Sequence, residues 1–260
     1  MRNMMPADSI LLVGAGNLAT SLAAALKGAG IGIMGVWSRT EEAARELGLR
    51  IGVPYSCRLQ DFRAPSVVII AVADAALPSV AADVSRLFPE ALIAHTAGSI
   101  SMDALRLSGA TSYGVFYPMQ TFSKGRVVDF STVSTFVEGC DAEALSRLRD
   151  IATQLGGKVY DATSEQRRYL HLAAVFACNF PNALYAMSER LLTRHGLPFE
   201  AMLPLIDETA AKVHTLSARE AQTGPARRGD EAVMQRQREL LDDELLNIYN
   251  VLSDYIAKNR

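Results

Sequence analysis

From residue 9 to about 160, short β-rich apolar runs alternate with Ala-rich stretches of helical spacing. They read ILLV at 10–13, LATSLAAALKGAG at 18–30, IGIMGVW at 31–37, TEEAARELG at 40–48 and VVIIAV at 67–72. Further strands are predicted at 91–95, 112–116, 134–137 and 158–160, with a helix over 142–155. Such alternation predicts a parallel sheet covered by helices on both faces. Beyond Asp161 the pattern turns helical, with three helices expected over 164–195, 199–223 and 230 to the C-terminus, parted by Gly196-Leu197-Pro198 and Gly224-Pro225. The expected architecture is therefore α/β, with a Rossmann-type domain over 1–160 followed by an all-α domain over 161–260.

Two details refine the helical half. Pro181 lies inside the first helix, where it removes the hydrogen bond to the Ala177 carbonyl, so a kink is expected beside Asn179. In the last helix Leu241, Leu245, Ile248, Leu252 and Tyr255 are spaced 4, 3, 4 and 3 apart on one seam, while Leu240, Leu246, Tyr249, Val251 and Ile256 occupy other faces. A helix apolar on more than one side needs a second partner, so a homodimer through the C-terminal helices is expected.

At 49% hydrophobic residues the chain can build a large core, and disorder is excluded. A net charge of -2 without a basic block argues against nucleic acid. Cys57, Cys140 and Cys178 are odd in number and widely spaced, which fits neither a disulfide framework nor a metal site and suits a reducing cytoplasm. Residues 1–9 lack the apolar stretch of a signal peptide, and the most apolar run, 67–73, is too short to cross a bilayer, so no membrane association is expected.

The most informative motif is Gly14-Ala15-Gly16-Asn17-Leu18-Ala19, which joins the first strand directly to a helix. Gly14 would make the tight turn, Gly16 would let a pyrophosphate approach the backbone, and Ala19 would let helix pack on strand. The helix N-terminus supplies amides and a positive dipole end. NAD sites commonly end the second strand in a carboxylate; here it ends in Ser38-Arg39-Thr40, whose guanidinium and hydroxyls suit a 2′-phosphate. NADP is the expected cofactor. Ala73 and Asp74, after the apolar run at 67–72, are candidates to line it, with capping of the next helix the favoured role for Asp74. His95, at a predicted strand end, is a further cofactor-binding candidate beside the alternative of a histidine merely satisfied in the fold.

These segments also carry a resemblance. The GAGNLA turn, the SRT strand end and His95-Thr96-Ala97-Gly98-Ser99-Ile100-Ser101 resemble the corresponding loops of pyrroline-5-carboxylate reductases and their relatives among the β-hydroxyacid dehydrogenases, over about the first 120 residues. Over its full length the chain resembles proteins that follow a Rossmann-like domain with a helical domain of unknown function, number 2520. That likeness rests on Tyr117-Pro118-Met119-Gln120-Thr121-Phe122, on the stretch from His171 to Asn179 and on the stretch from Thr223 to Asp230. The resemblance implies an NADP-dependent oxidoreductase and leaves the substrate open. One departure favours the rival class, a non-catalytic NADP sensor or scaffold: the β-hydroxyacid dehydrogenases carry a lysine four residues before the asparagine, where this chain has Val175.

For the chemistry, His171 and Asn182 are eleven residues apart and about 20° apart on a straight helix, with Asn179 about 80° round, all within a stretch otherwise expected to be core. Either these polar groups satisfy backbone, or they surround a small-molecule substrate, His171 as acid/base and the asparagines as orienting groups. Arg228, in the loop over 223–230, would pair with a substrate carboxylate, unless that loop is simply a turn leading to Asp230.

Overall fold

The computed structural model describes residues 9–123 and 125–259; residues 1–8, which carry most of the signal-peptide expectation, lie outside them. The elements of the first part are β1 (Ile10–Val13), α1 (Asn17–Gly28), β2 (Ile33–Trp37), α2 (Glu41–Ile51), β3 (Tyr55–Ser56), β4 (Val67–Ile70), α3 (Leu77–Leu87), β5 (Leu92–His95), α4 (Asp103–Leu107), β6 (Ser112–Met119), β7 (Ser134–Gly139), α5 (Ala142–Gln154), β8 (Lys158–Asp161) and α6 (Ser164–Ala174). The eight strands form one sheet in the order β3-β2-β1-β4-β5-β6-β7-β8. Strands β1 to β6 run parallel, β7 pairs antiparallel to β6, and β8 follows β7.

Period-two alternation sends each strand's residues to two different cores. Ile10, Leu12, Val67, Ile69, Leu92 and Ala94 pack against Leu22 and Leu26 of α1, Leu47 and Ile51 of α2, and Leu148 and Ile151 of α5. Leu11, Val13, Val68, Ile70 and Ile93 pack on the opposite face against Leu77, Val80 and Val84 of α3 and Leu105 of α4. The buried apolar positions of α1, namely Ala19, Leu22, Ala23 and Leu26, follow the 3–4 spacing of a single helix face. Each fully buried Leu or Ile contributes about 1.5–3 kcal/mol. Two features escaped the sequence pattern. β3 is two residues long and too short to show alternation, and β6 continues to Met119 because Tyr117, Pro118 and Met119 pair with β7.

The chain divides into two compact units, one ending at Cys178 and one beginning at Asn179. A π-helical turn, Val175–Asn179, interrupts the helix expected over 164–195, and α7 (Phe180–Arg194) follows with Pro181 in its first turn. There the missing N–H costs little, and the wider π turn absorbs the misfit with the preceding carbonyls. The advance per residue in a π turn is smaller than 100°, so the straight-helix angles used for Asn179 and Asn182 do not hold.

The two later helices are also divided. Residues 199–223 form a 3-10 turn, Phe199–Met202, then α8 (Leu203–Lys212) and α9 (Ala218–Ala221), where Ser217 and Glu220 make a capping box that starts a new helix. The last stretch comprises α10 (Pro225–Arg228), α11 (Glu231–Arg238) and α12 (Asp243–Lys258). Asp230 and Asp242 accept hydrogen bonds from the amides of Val233 and Leu245, and each begins a helix. Leu241 therefore lies outside α12, and the predicted seam starts at Leu245.

Ion pairs Arg190–Glu244 at 3.0 Å and Arg194–Asp242 at 2.8 Å tie α7 to α12 within the second unit. Among the described residues no helix is long and apolar enough to cross a membrane, and no cluster of metal-ligating side chains occurs.

Candidate active site

The strand order reverses its direction of growth at β1 and β4, and in open α/β sheets ligands bind outside the carboxyl ends of the strands at that point. A cavity of about 310 Å³ opens there, lined by Gly14, Ala15, Gly16, Trp37, Ser38, Arg39, Thr40, Ala43, Ala71, Val72 and Ala73. Gly14 has φ +127°, and a Cβ on it would lie 2.1 Å from the Ala71 carbonyl oxygen, so only glycine fits. Gly16 is the N-cap of α1, no side chain caps that helix, and nothing lies within 4 Å of where its Cβ would point. The first-turn amides of α1 thus face open space in the manner a pyrophosphate requires. Exposed Arg39 and Thr40 stand at the end of β2 with half-buried Ser38. The residues fit a phosphorylated dinucleotide.

Two other members of the expected cofactor site have structural partners. Half-buried Leu18 packs against the core, while Asn17 donates through Nδ2 to the Phe122 carbonyl at 3.2 Å and so ties α1 to the segment after β6. A second depression near Asn17, over α1 and α2, is not where the strand ends converge; the cavity at Gly14 to Thr40 is the one the topology points to.

Asp74 does not cap α3, as the spacing suggested. The N-cap of α3 is Ala76, and Asp74 instead opens a 3-10 turn and accepts a hydrogen bond from the Ser99 hydroxyl at 2.9 Å, linking the loops after β4 and β5. The extra turn between Asp74 and α3 moves the carboxylate out of capping range. His95 has no exposed surface, so its ring has none to offer a cofactor; its Nδ1 accepts from the Ala97 amide at 3.2 Å. Burial first, then the nearby Arg167 charge, push its imidazole down to about 4, and it is neutral near pH 7.

Past His95 the loop over 96–101 meets the end of β6 and helix α6. The Tyr117 hydroxyl lies 3.3 Å from His171 Nδ1, and the two rings meet edge to face. Gly98 lies against both, since a Cβ there would come within 2.7 Å of Tyr117 Cζ and 3.0 Å of His171 Nδ1. Tyr117 is 8% exposed and His171 is exposed. Burial raises the Tyr117 phenol above its ordinary value, with the Arg167 charge opposing, so the hydroxyl keeps its proton at neutral pH.

Sequence reasoning missed Arg167, which is fully buried on the turn of α6 before His171. Its guanidinium donates to the carbonyls of Ala97, Gly98 and Ile100, to Glu138 of β7 and to the Ser164 hydroxyl. The available signal was its place: Thr163 and Gln166 form a capping box that sets the start of α6, and Arg167, Leu170 and Ala174 then fall on one stripe. A charged residue on an inward stripe needs a polar partner. Asn179, Asn182 and Arg228 belong to the second unit, where each is exposed. The stretch around His171 is not core in a single chain, because Leu172 and Phe176 are 52% and 64% exposed.

Fold and cavity together define a Rossmann-type domain suited to a dinucleotide. The family model described as NADP oxidoreductase coenzyme F420-dependent matches residues 9–98, and that for the domain of unknown function DUF2520 matches residues 133–256. The chain is 46% identical to the candidate NADP oxidoreductase BF3122 of Bacteroides fragilis, with a TM-score of 0.91 over 96% of this chain and 98% of that one. An imine reductase from Myxococcus stipitatus in complex with NADP+ shares the fold at 19% identity and TM-score 0.65, over 96% of this chain and 92% of that one. So does a 1-pyrroline-5-carboxylate reductase from Streptococcus pyogenes, at 18% identity and TM-score 0.64, over 96% and 98%. No curated protein matches the chain by sequence. The chain belongs to the family of NADP-dependent oxidoreductases that join an F420-dependent-type NADP oxidoreductase domain to a DUF2520 domain.

Proposed function

We propose that this protein uses NADPH to reduce the C=O or C=N bond of a small polar, anionic substrate, with His171 as the acid/base group. Bound NADPH would supply the hydride. Gly14, Gly16 and the α1 amides would hold the pyrophosphate, and Ser38, Arg39 and Thr40 the 2′-phosphate. The carrying observation is the pairing of His171 with Tyr117 beside Gly98, in a loop that leaves the carboxyl end of the parallel strands as the glycine turn does. An exposed imidazole held at one nitrogen keeps the other free to exchange a proton with a substrate. The two similar folds named for imine and pyrroline-5-carboxylate reduction support a C=N substrate.

In this reading residues 1–160 bind the cofactor and residues 161–260 serve the substrate and dimerisation. Asn179, Asn182 and Arg228 enter as substrate-orienting groups, each to be tested by substitution. A cytoplasmic homodimer is part of the proposal, supported by the exposed apolar faces of the helices. The test is a screen of small keto acids and cyclic imines followed by NADPH absorbance, with the best substrate carried into variants. His171→Ala is expected to lower turnover about a hundredfold while NADPH affinity stays within about twofold. Wild-type turnover in a correctly folded His171→Ala protein removes the histidine from the mechanism.

A further inference from the structure

We infer that Nε2 is the working nitrogen of His171 because Nδ1 is committed to Tyr117, and that Arg167 is the positioning residue that enforces this commitment. The inference deepens the proposed role of His171 and rests on it. Arg167 stands four residues before His171 on α6, and its side chain has no exposed surface. One terminal nitrogen reaches the carbonyl oxygens of Ala97 at 2.9 Å, Gly98 at 3.3 Å and Ile100 at 3.0 Å. The other reaches Glu138 Oε2 and Ser164 Oγ, each at 2.9 Å. Of the five N–H donors only the one on Nε lacks a partner.

These bonds join three elements: helix α6, strand β7 and the loop after β5. Glu138 also accepts from the Ser164 amide and hydroxyl, at 2.9 and 2.8 Å, so the carboxylate closes the network from the β7 side. Drawn onto α6 by its carbonyls, the loop places Gly98 under Tyr117 and His171 with no room for a Cβ. The separation of the two rings therefore depends on where Arg167 holds the loop.

The consequence for His171 follows from donor and acceptor counting. The Tyr117 hydroxyl, protonated at neutral pH, can donate to Nδ1 or accept from it. A charged ring that gives its Nε2 proton to a substrate keeps Nδ1–H, which donates to the Tyr117 oxygen, and the bare Nε2 can then take a proton back. Nε2 therefore faces the substrate in both states, protonated in one and bare in the other.

The test reads the ring directly, by long-range ¹H–¹⁵N NMR of ¹⁵N-histidine protein, with His171→Ala identifying the signal among the four histidines. Wild type is expected to show about a tenfold preference for the Nδ1–H tautomer, the equivalent of one ordinary hydrogen bond. Tyr117→Phe should abolish that preference. Arg167→Met should abolish it too, with circular dichroism and NADPH binding unchanged, and Arg167→Lys should restore part of it. Should Arg167→Met fail to fold, Gly98→Ala serves as the second probe, because its added methyl must part the rings and bring the same loss. A wild-type ring of mixed or Nε2–H tautomer, or a preference that survives Tyr117→Phe, overturns the inference; one that survives in folded Arg167→Met, or in Gly98→Ala, removes Arg167 from it. No turnover is needed, so a correct tautomer in a protein whose His171→Ala variant keeps its activity refutes the acid assignment alone.

Discussion

The sheet of the first unit and the helices beyond it handle the same raw material in opposite ways. Strands β1, β4 and β5 bury every residue, and α1, α2, α3 and α5 each bury a mainly apolar stripe against them. By contrast, α7 and α8 bury none of their residues, and of the nineteen exposed large hydrophobic side chains described, fifteen fall between Tyr169 and Tyr255. Monomeric proteins rarely leave apolar patches on this scale uncovered. The sheet's apolar faces are covered within one chain, whereas the helices leave large apolar side chains exposed. Stability of the first is thus intramolecular, and stability of the second is expected to depend on protein concentration.

The largest expected effect comes from breaking that second pattern. Leu252 and Tyr255, 40% and 67% exposed on α12, are the seam positions to charge. Leu252→Glu with Tyr255→Glu should raise the dimer dissociation constant roughly a thousandfold, or about 4 kcal/mol, given the apolar burial lost twice per symmetric interface. Light scattering should show the mass halve while emission of Trp37, the only tryptophan, stays unchanged in the sheet. A double variant of unchanged mass, or a wild type already monomeric, refutes the dimer.

His95 sharpens the other side of the comparison. Its ring titrates at about 4 in the folded protein and near 6.5 when unfolded, so between these pH values the unfolded chain binds more protons. Its contribution is complete above about pH 6.5 and is lost as pH falls toward 4, roughly 3 kcal/mol in all. Urea unfolding followed by Trp37 should show this acid slope at any protein concentration, and His95→Gln should flatten it. An unaltered slope in that variant assigns the acid sensitivity elsewhere.

The smallest effect concerns function without stability. Arg39 is exposed at the rim of the cofactor cavity. Arg39→Ala should weaken NADPH binding about tenfold, close to 1.4 kcal/mol, and leave NADH binding and the melting temperature as they were. Isothermal titration with the two cofactors is the check, and equal affinities in the wild type would undo the argument.

Much of the molecule follows from local pattern. Ile10 to Val13, Gly14 to Ala19 and the SRT strand end are contiguous in sequence, and strand, glycine turn and helix N-terminus are each set by residues a few positions apart, so their order already implies a dinucleotide site. The interruption of the helix near Asn179 was legible for the same reason, since proline acts on its own helix. Other features depend on residues distant in sequence that meet only when the sheet closes. Asp74 finds Ser99, Tyr117 finds His171, and Arg167 gathers carbonyls some seventy positions earlier together with Glu138. Helix breaks at Ser217 and Asp242 were masked by continuous helical composition, because a capping residue competes with an uninterrupted helix only through the packing around it. The sequence alone determines the class of ligand, through short-range backbone geometry; which polar side chains converge on the chemistry was decided by the strand order, which no local pattern encodes.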